Sequence, residues 1–165
     1  MHTAKDFLLR YLRYNVWANK RIAAVLDQLD ETKYDETVTS SFPSIRKTVF
    51  HLMDAEYIWL MRLQGQSLSK GLSDSLPAGT KPSCYPEVSE KFLRFIEEKE
   101  ETYFAAVIHY RNLKGDAFSS AVAEMVMHCM NHSTFHRGQL VTMIRQAGWN
   151  EKLPSTDMIT YFREM

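Results

Sequence analysis

The segment over residues 119–147 carries an apolar stripe at helical spacing, and two histidines interrupt that stripe. Its members are Val122, Met125, Val126, Cys129, His132, His136, Leu140, Met143 and Ile144. Residues four apart lie one turn apart on the same face of a helix, so His132 and His136 are expected side by side. Two buried imidazoles without partners would cost on the order of 1–3 kcal/mol each. The stripe therefore predicts a core helix in which a metal ion satisfies the histidines.

The spacing of the two histidines is that of helical zinc motifs of the form H-E-x-x-H. The glutamate of that motif is absent, because residues 133–135 are Ser, Thr and Phe. His128 precedes His132 by four residues and forms an equally spaced pair with it. His128 and His136 lie roughly 12 Å apart along the helix axis and cannot bind the same ion. Spacing alone leaves both pairs open, and a catalytic metal centre usually needs a third protein ligand.

Apolar periodicity predicts an all-α fold, a four-helix bundle with a short fifth helix at the carboxyl end. The other long helices are predicted over residues 3–29, 44–64 and 86–110. The pattern places a hydroxyl cap at Thr3, a glycine at each of the helix ends Gly65 and Gly148, and a cap for the fourth helix at Ser119 or Ser120. The short helix is predicted over residues 157–163 behind Thr156. No segment shows the alternation expected of a strand.

The connection over residues 65–85 is unusually long for a compact domain and is rich in Gly, Ser, Pro and Lys. Two interpretations fit it: a crossover between helices that are not antiparallel neighbours, and a lid over a pocket. The length of the chain, 165 residues, predicts a single domain over residues 1–165.

Composition and charge indicate which classes of partner and which cellular compartment to expect. Lys plus Arg and Asp plus Glu are both 20, so the net charge is zero and gives no electrostatic basis for binding nucleic acid or a membrane surface. The only cysteines, Cys84 and Cys129, form no C-x-x-C motif, which favours a reducing compartment. No run approaches the ~18 apolar residues of a transmembrane helix. We expect a soluble, cytoplasmic protein.

Polar residues at inward-facing positions of the first two helices are further candidates. Asn15 and Asn19 lie four apart; they can bond inward beside a site, although polar surface or bonds between helices are favoured. His51 lies beside the apolar stripe of the second helix, where a lone histidine is more often a core residue than a ligand. Glu56 is the one carboxylate at a core-facing position of that helix. It can accept a bond from a ligand N–H, act as a base, or form a buried ion pair with Arg137.

Four parts of the chain resemble the DinB-like family of damage-inducible metalloproteins, and the likeness covers nearly the whole length. The most specific stretch has the form N-H-x-x-x-H-R-G-Q and is rare by chance. The residues that carry the resemblance are Asn15-Val16-Trp17-Ala18-Asn19 in the first helix, Ser44-Ile45-Arg46 and His51-Leu52-Met53-Asp54-Ala55-Glu56 with Trp59 in the second, Asn131-His132-Ser133-Thr134-Phe135-His136-Arg137-Gly138-Gln139 in the fourth, and Pro154, Thr156 and Asp157 in the tail.

The resemblance implies an up-down-down-up bundle with a long crossover between the second and third helices. It implies one divalent metal held by His51, His132 and His136, with water completing the shell, and a homodimer. Members with assigned activities are mostly metal-dependent thiol-S-transferases or related isomerases that use low-molecular-weight thiols. Three histidines and an open position suit a metal that activates water or a thiol. Zinc, nickel, manganese and iron all bind imidazole, and the sequence does not choose among them.

With His132 and His136 taken as the pair, the remaining polar residues of the fourth helix have weaker roles. His128 lines the pocket or simply packs. Cys129 is a soft ligand or nucleophile, or, as its position favours, a buried small hydrophobe. Arg137 cannot share the face of His136 and is expected to pair across an interface or with an acidic neighbour. Gln139 follows His136 by three residues and can orient it through a hydrogen bond.

Two functions of different classes follow. The first is a metal-dependent transferase or hydrolase that acts on a small molecule, possessing an open coordination position beside a pocket. The alternative is a non-catalytic, stress-linked metal-binding protein, in which a fourth protein ligand would close the shell. A third hypothesis is a helical bundle whose buried histidines hold no metal.

Overall fold

The computed structural model describes residues 3–165, and most of them are helical. The helices are α1 (Ala4–Leu26), α2 (Ile45–Leu63), α3 (Pro86–Glu97), α4 (Val122–Gln146) and α5 (Met158–Glu164). Two strands, β1 (Val107–Arg111) and β2 (Ala117–Ala121), form an antiparallel hairpin between α3 and α4. Within the described range, no helix combines the length and apolarity needed to cross a bilayer.

Several predicted helix ends are confirmed. Thr3 caps α1 in a reciprocal capping box with Asp6. The hydroxyl of Ser44 accepts a bond from the backbone N–H of Lys47 at the start of α2. Gly65 and Gly148 follow α2 and α4 with φ of 80° and 95°, a conformation that costs glycine little.

The prediction that the third helix extends to residue 110 is wrong, and so is the prediction that the chain has no strand. The helix α3 ends at Glu97, and Val107, Ile108 and Tyr110 lie in β1. Branched and aromatic side chains suit a strand as well as a buried helix face, so the apolar run alone was ambiguous. Pairing with β2 selects the strand. The turn that allows this pairing is stabilised by the Asn112 side-chain oxygen, which accepts bonds from two backbone N–H groups of the loop over residues 113–116.

Two predicted caps are also wrong. Ser119 and Ser120 lie in β2, and α4 starts after Ala121 without any side-chain cap. Its first backbone N–H instead donates to the carbonyl of Ala106, so the hairpin itself positions the start of α4. Thr156 does not cap α5: its carbonyl accepts a bond from Tyr14, and the N-cap residue is Asp157.

Ion pairs and ring contacts give the directions of the long helices. Arg13 in the first half of α1 pairs with Glu97 at the end of α3, at 3.0 Å. Lys20 near the other end of α1 pairs with Glu90, so α1 and α3 run antiparallel. The helices α2 and α4 also run antiparallel, as the ring contacts between them described below require. Both pairings are consistent with an up-down-down-up order.

The core has two large apolar clusters with a polar layer between them, and a small third cluster where α1 meets α5. One large cluster surrounds Leu26 and Leu52, and the other surrounds Leu12 and Phe92. Along all four long helices, the polar residues of the layer fall between the segments that supply the two large clusters. Each member of this polar layer is at most 1% exposed; the members are Asn15, Asn19, Glu56, Ser89, Ser133 and Arg137.

Candidate metal centre

Three imidazole rings converge where α2 faces α4. His51 comes from α2, and His132 and His136 come from successive turns of α4. The Nε2 atoms of His51 and His132 are 2.9 Å apart, and the three ring centroids are separated by 4.4 to 4.8 Å. One ligand nitrogen from each ring lies within 4.8 Å of the others. Because a zinc–nitrogen bond is about 2.0–2.1 Å long, these histidines are positioned to hold one metal ion.

A hydrogen bond sets the orientation and the tautomer of His136. Its Nδ1 atom lies 2.7 Å from the side-chain oxygen of Gln139. An amide oxygen can only accept, so the proton is assigned to Nδ1 and the lone pair to Nε2. The amide nitrogen of Gln139 donates in turn to Ser41, at 2.7 Å. Gln139 therefore orients His136 as the spacing predicted, and Ser41 holds Gln139 in place.

Phe42 lies in the segment that precedes α2, and its phenyl ring packs against the histidine cluster. It stacks on His51 at a centroid distance of 4.2 Å and lies 5.6 Å from His136. The sequence analysis did not identify this residue, although its position beside Pro43 at the start of the histidine-bearing helix was a usable signal. The buried Nδ1 atom of His132 has no hydrogen-bond partner in the described part of the chain. Phe42 therefore supports His51 by apolar contact, whereas a hydrogen bond orients His136.

The surroundings lower the pKa of two of the imidazoles, His51 and His132. Burial lowers the pKa of His51, and neighbouring His136 lowers it further. Burial, together with the three neighbouring histidines, lowers the pKa of His132 to about 4. Both rings are therefore deprotonated at neutral pH, which is the form that binds a metal, so no proton has to be displaced from them.

A pocket of about 400 Å³ opens on the cluster and runs along α2 and α4. His51 and His132 line one part of it, and Trp59 and Arg62 line another. His128 also lines the pocket, with its ring 5.1 Å from Trp59, but it lies outside the three-histidine cluster. This contact, together with the one between His51 and His136, establishes the antiparallel packing of α2 and α4.

The connection between α2 and α3 contributes part of the wall of this pocket. Gly71 and Asp74 from the connection line it. Ser73 donates to Asp54 of α2 through its backbone N–H, at 2.7 Å, and through its hydroxyl. A Cβ atom at Gly71 would lie 2.4 Å from the Asp54 carboxylate, so glycine allows this close approach. The connection therefore covers one side of the pocket, as the lid interpretation proposed.

The carboxylate of Glu56 belongs to the polar layer and makes no hydrogen bond to the histidines. It accepts bonds from Asn15 at 2.8 Å, Asn19 at 3.1 Å, Ser89 at 2.5 Å and Ser133 at 2.8 Å. Four donors from three other helices therefore satisfy one buried acidic group. No contact of Glu56 supports the two roles predicted for it at the metal site, which were to accept a bond from a ligand N–H and to act as a base.

Arg137 is the cationic counterpart of Glu56 in the polar layer. It donates to the side-chain oxygens of Asn15 and Asn19, and to Thr134 at 2.9 Å. The two asparagines thus bridge the buried cation to the buried carboxylate, and no direct ion pair joins the two charged groups within residues 3–165. Asn15 and Asn19 make bonds between helices, which was the favoured interpretation.

Comparison with known proteins places this geometry in a family. The sequence model of the DinB family matches residues 1–163. The chain belongs to the DinB family. It is 31% identical over 153 residues to Protein DinB of Bacillus subtilis strain 168, an alignment that covers 87% of this chain and 88% of that protein.

Solved DinB-like structures share the fold at lower sequence identity. A DinB-like protein from Bacillus subtilis superposes with a TM-score of 0.68 at 14% identity, covering 89% of this chain and 97% of that one. A DinB-like protein from Bacillus cereus ATCC 10987 gives a TM-score of 0.62 at 17% identity, covering 88% and 94%. At these identities the likeness concerns the fold of the DinB chain alone.

Two further side chains of this DinB chain, Cys129 and Arg62, are not ligands of the cluster. Cys129 is fully buried, burial raises the pKa of its thiol, and it lies outside the cluster, so it is a small core residue. Arg62 was missed altogether, although its spacing of three residues from Trp59 is one that brings two side chains together on a helix. Its guanidinium carbon lies 4.5 Å from the centre of the Trp59 ring and 4.8 Å from that of Tyr110.

Proposed function

We propose that His51, His132 and His136 hold one divalent transition metal and that the protein is a metal-dependent enzyme acting on a small molecule. The reaction is a transfer of the thiol-S-transferase type, or a hydrolysis. Bound there, a metal would act as a Lewis acid and lower the pKa of a coordinated thiol or water. Imidazole ligands suit zinc, nickel, manganese and iron alike.

The observation that carries the proposal is the convergence of three imidazoles beside a pocket. No fourth His, Cys, Asp or Glu joins the group within residues 3–165. An open position facing a pocket is typical of catalytic centres, whereas structural zinc sites are closed by four protein ligands. This feature favours the enzyme over the non-catalytic, stress-linked metal-binding protein.

The chain's own residues would prepare the site for a small ligand. Gln139 fixes the orientation of His136, and Phe42 packs flat against His51 and limits the access of water from that side. Trp59 and His128 provide flat apolar surface farther along the pocket. These contacts would align a substrate along α2 while leaving its reacting end at the histidines.

Elemental analysis of protein purified without a histidine tag tests the metal directly. We expect about one equivalent of a transition metal in the wild type and its loss in His51→Ala, because two ligands from one helix hold an ion weakly. His109→Ala is the matched control, since His109 is exposed in β1 and lies outside the cluster. Absence of metal from the wild type, or full metal content in His51→Ala, would overturn the proposed site.

The reaction class is tested with the metal-loaded protein. Small thiols are offered together with an aryl halide, and formation of the thioether with release of halide is followed; simple esters test hydrolysis. Turnover that requires the metal and disappears in His51→Ala supports the enzyme. One equivalent of bound metal without turnover of any thiol or ester supports the non-catalytic alternative instead.

We also propose that the protein is a homodimer that uses an apolar groove between α1, α4 and α5. The groove has a volume of about 470 Å³ and is lined by Phe7, Leu8, Arg10, Tyr11, Met127, Met158 and Phe162. Met127 is 56% exposed at this groove. A buried charge without a partner is strongly unfavourable.

Met127→Lys is therefore expected to shift the protein from dimer to monomer in light scattering, because the groove already holds the cation Arg10 and no acidic residue is among the described residues that line it. Lys91→Glu is the control, because residue 91 is exposed on α3 outside the groove. A wild type that is monomeric at all concentrations, or a Met127→Lys dimer as stable as the wild type, would contradict the proposal.

A further inference from the structure

The side chain of Arg62 is buried without a polar partner. The residue is 8% exposed, and its Nε atom has no hydrogen-bond partner. No carboxylate in residues 3–165 forms an ion pair with it. A guanidinium has five N–H donors and stays charged at any ordinary pH. A buried cation in this state is costly, and proteins normally pair it with an anion.

Two aromatic rings hold the guanidinium without using its donors. Trp59 and Tyr110 lie 4.5 and 4.8 Å from its central carbon, within the range of a cation–π contact. Such contacts fix the position of the group but leave the N–H donors unsatisfied. Tyr110 comes from β1, so the hairpin completes this arrangement. Arginine held rigidly with free donors is suited to bind a planar oxyanion.

The same pocket connects Arg62 to the histidine cluster. Arg62, His51 and His132 all line the cavity of about 400 Å³. Arg62 follows His51 by eleven residues in α2, which is roughly 16 Å of helix. The guanidinium carbon is 4.5 Å from the centre of the Trp59 ring, which lies 5.1 Å from that of His128. The His128 ring is in turn 6.2 Å from the His132 ring, so adjacent rings connect Arg62 to the cluster along the pocket. One extended small molecule can therefore reach both.

We propose that Arg62 binds a carboxylate on the substrate of the three-histidine site, so that the substrate is an extended small carboxylic acid. This inference rests on the proposed function, because it takes the reacting group to lie at the histidines. Arg62 is then a positioning and specificity residue, and it does not touch the reacting atoms. The hairpin and Trp59 serve to present its donors to the ligand.

The charge of the pocket favours a carboxylate over a phosphate. Two carboxylates, Asp54 and Asp74, line the same cavity. Asp54 is occupied by its bonds to Ser73, and Asp74 is exposed on the connection. One guanidinium and two acids leave the lining with a negative net charge, which repels a dianion more strongly than a monoanion. A group with one negative charge matches the single unpaired cation.

Calorimetry with two probes of equal length tests the inference. Octanoate and its neutral isostere octanamide are titrated into metal-loaded and into metal-free protein. We expect wild type to bind octanoate about tenfold to a hundredfold more tightly than octanamide, as a charge-assisted bond provides. In Arg62→Gln the two affinities become equal. Arg13→Gln, at an exposed ion pair, keeps the wild-type preference.

These variants distinguish anion binding by Arg62 from a purely structural role of Arg62 and from binding of the metal. If Arg62 only supports the aromatic rings, Arg62→Gln lowers the unfolding temperature and leaves the acid-to-amide ratio unchanged, which overturns the proposal. If Arg62→Gln does not fold, the wild-type ratio and Arg62→Lys decide, since lysine keeps the charge. A ratio near one in wild type also overturns it. If the protein prefers the carboxylate but binds no metal, the proposed reaction is contradicted and the anion site at Arg62 is still supported.

Discussion

Glu56→Ala is expected to lower the free energy of unfolding by about 3–5 kcal/mol, a large share of the stability of a domain. The substitution leaves donors from α1, α3 and α4 without their acceptor, and each buried unpaired donor costs about 1–3 kcal/mol. It also removes the negative charge that faces buried Arg137 across the two asparagines. Urea unfolding followed by circular dichroism measures the loss.

Two further variants show whether the charge or the hydrogen bonds dominate. Glu56→Gln keeps an oxygen for Asn15, Asn19 and Ser133, and we expect it to cost roughly half as much. Glu97→Ala removes an exposed ion pair and is expected to cost less than about 1 kcal/mol. If Glu56→Ala were as mild as Glu97→Ala, the polar layer would not be a stabilising network. Metal content should survive Glu56→Gln, because Glu56 does not contact the histidines.

His132→Ala is expected to abolish stabilisation by added metal and to flatten the pH dependence of the metal-free protein. A metal at a hundred times its dissociation constant stabilises the folded state by about 2.7 kcal/mol, and without His132 this gain should be lost. In the metal-free chain the pKa of His132 lies near 4 against an ordinary value of 6.5. The unfolded chain therefore takes up a proton first as the pH falls.

The sign of the pH effect follows from that order. The contribution of His132 to stability is fully present above about pH 6.5 and is lost as the pH falls toward about 4. The full shift would correspond to about 3 kcal/mol, and partial exposure of the ring reduces this to about 1–2 kcal/mol. His51 acts in the same direction, since burial also lowers its pKa.

Chemical unfolding at about pH 7 and about pH 5, with chelator and then with zinc, measures both effects. His109→Ala, at an exposed position in β1, should behave like the wild type. A wild-type protein that zinc does not stabilise, or a His132→Ala variant with an unchanged pH profile, would contradict this account of the cluster.

Local patterns in the chain predicted the α1 and α2 starts and the glycine helix ends, because caps and turns depend on neighbours within a few residues. The predicted end of the third helix was wrong because a local pattern was ambiguous there. Val107, Ile108 and Tyr110 satisfy a buried helix face and a strand equally well over so short a run. Only pairing with β2, which lies beyond the turn, selected the strand.

The polar residues of the core show the limit of spacing arguments most clearly. Asn15, Asn19 and Glu56 were recognised as polar groups on inward faces, yet which atoms they contact depends on the rotation and register of four helices. Arg137 was expected to pair with an acid, and the structure places two amides between them. Arg62 gave no signal strong enough to notice, because its isolation among aromatic rings is a property of the assembled pocket.

The sequence by itself determined that His132 and His136 lie together, since a helix places residues four apart on one face. It left His128 as an equal partner, and only the family motif favoured His136. The tertiary structure decided that His51 faces this pair, because contact between α2 and α4 depends on packing over the whole core. It also decided that the cluster opens on a pocket between α2 and α4, with part of its wall supplied by the hairpin turn and the connection. The positions of those two segments follow from long-range contacts that no local pattern encodes.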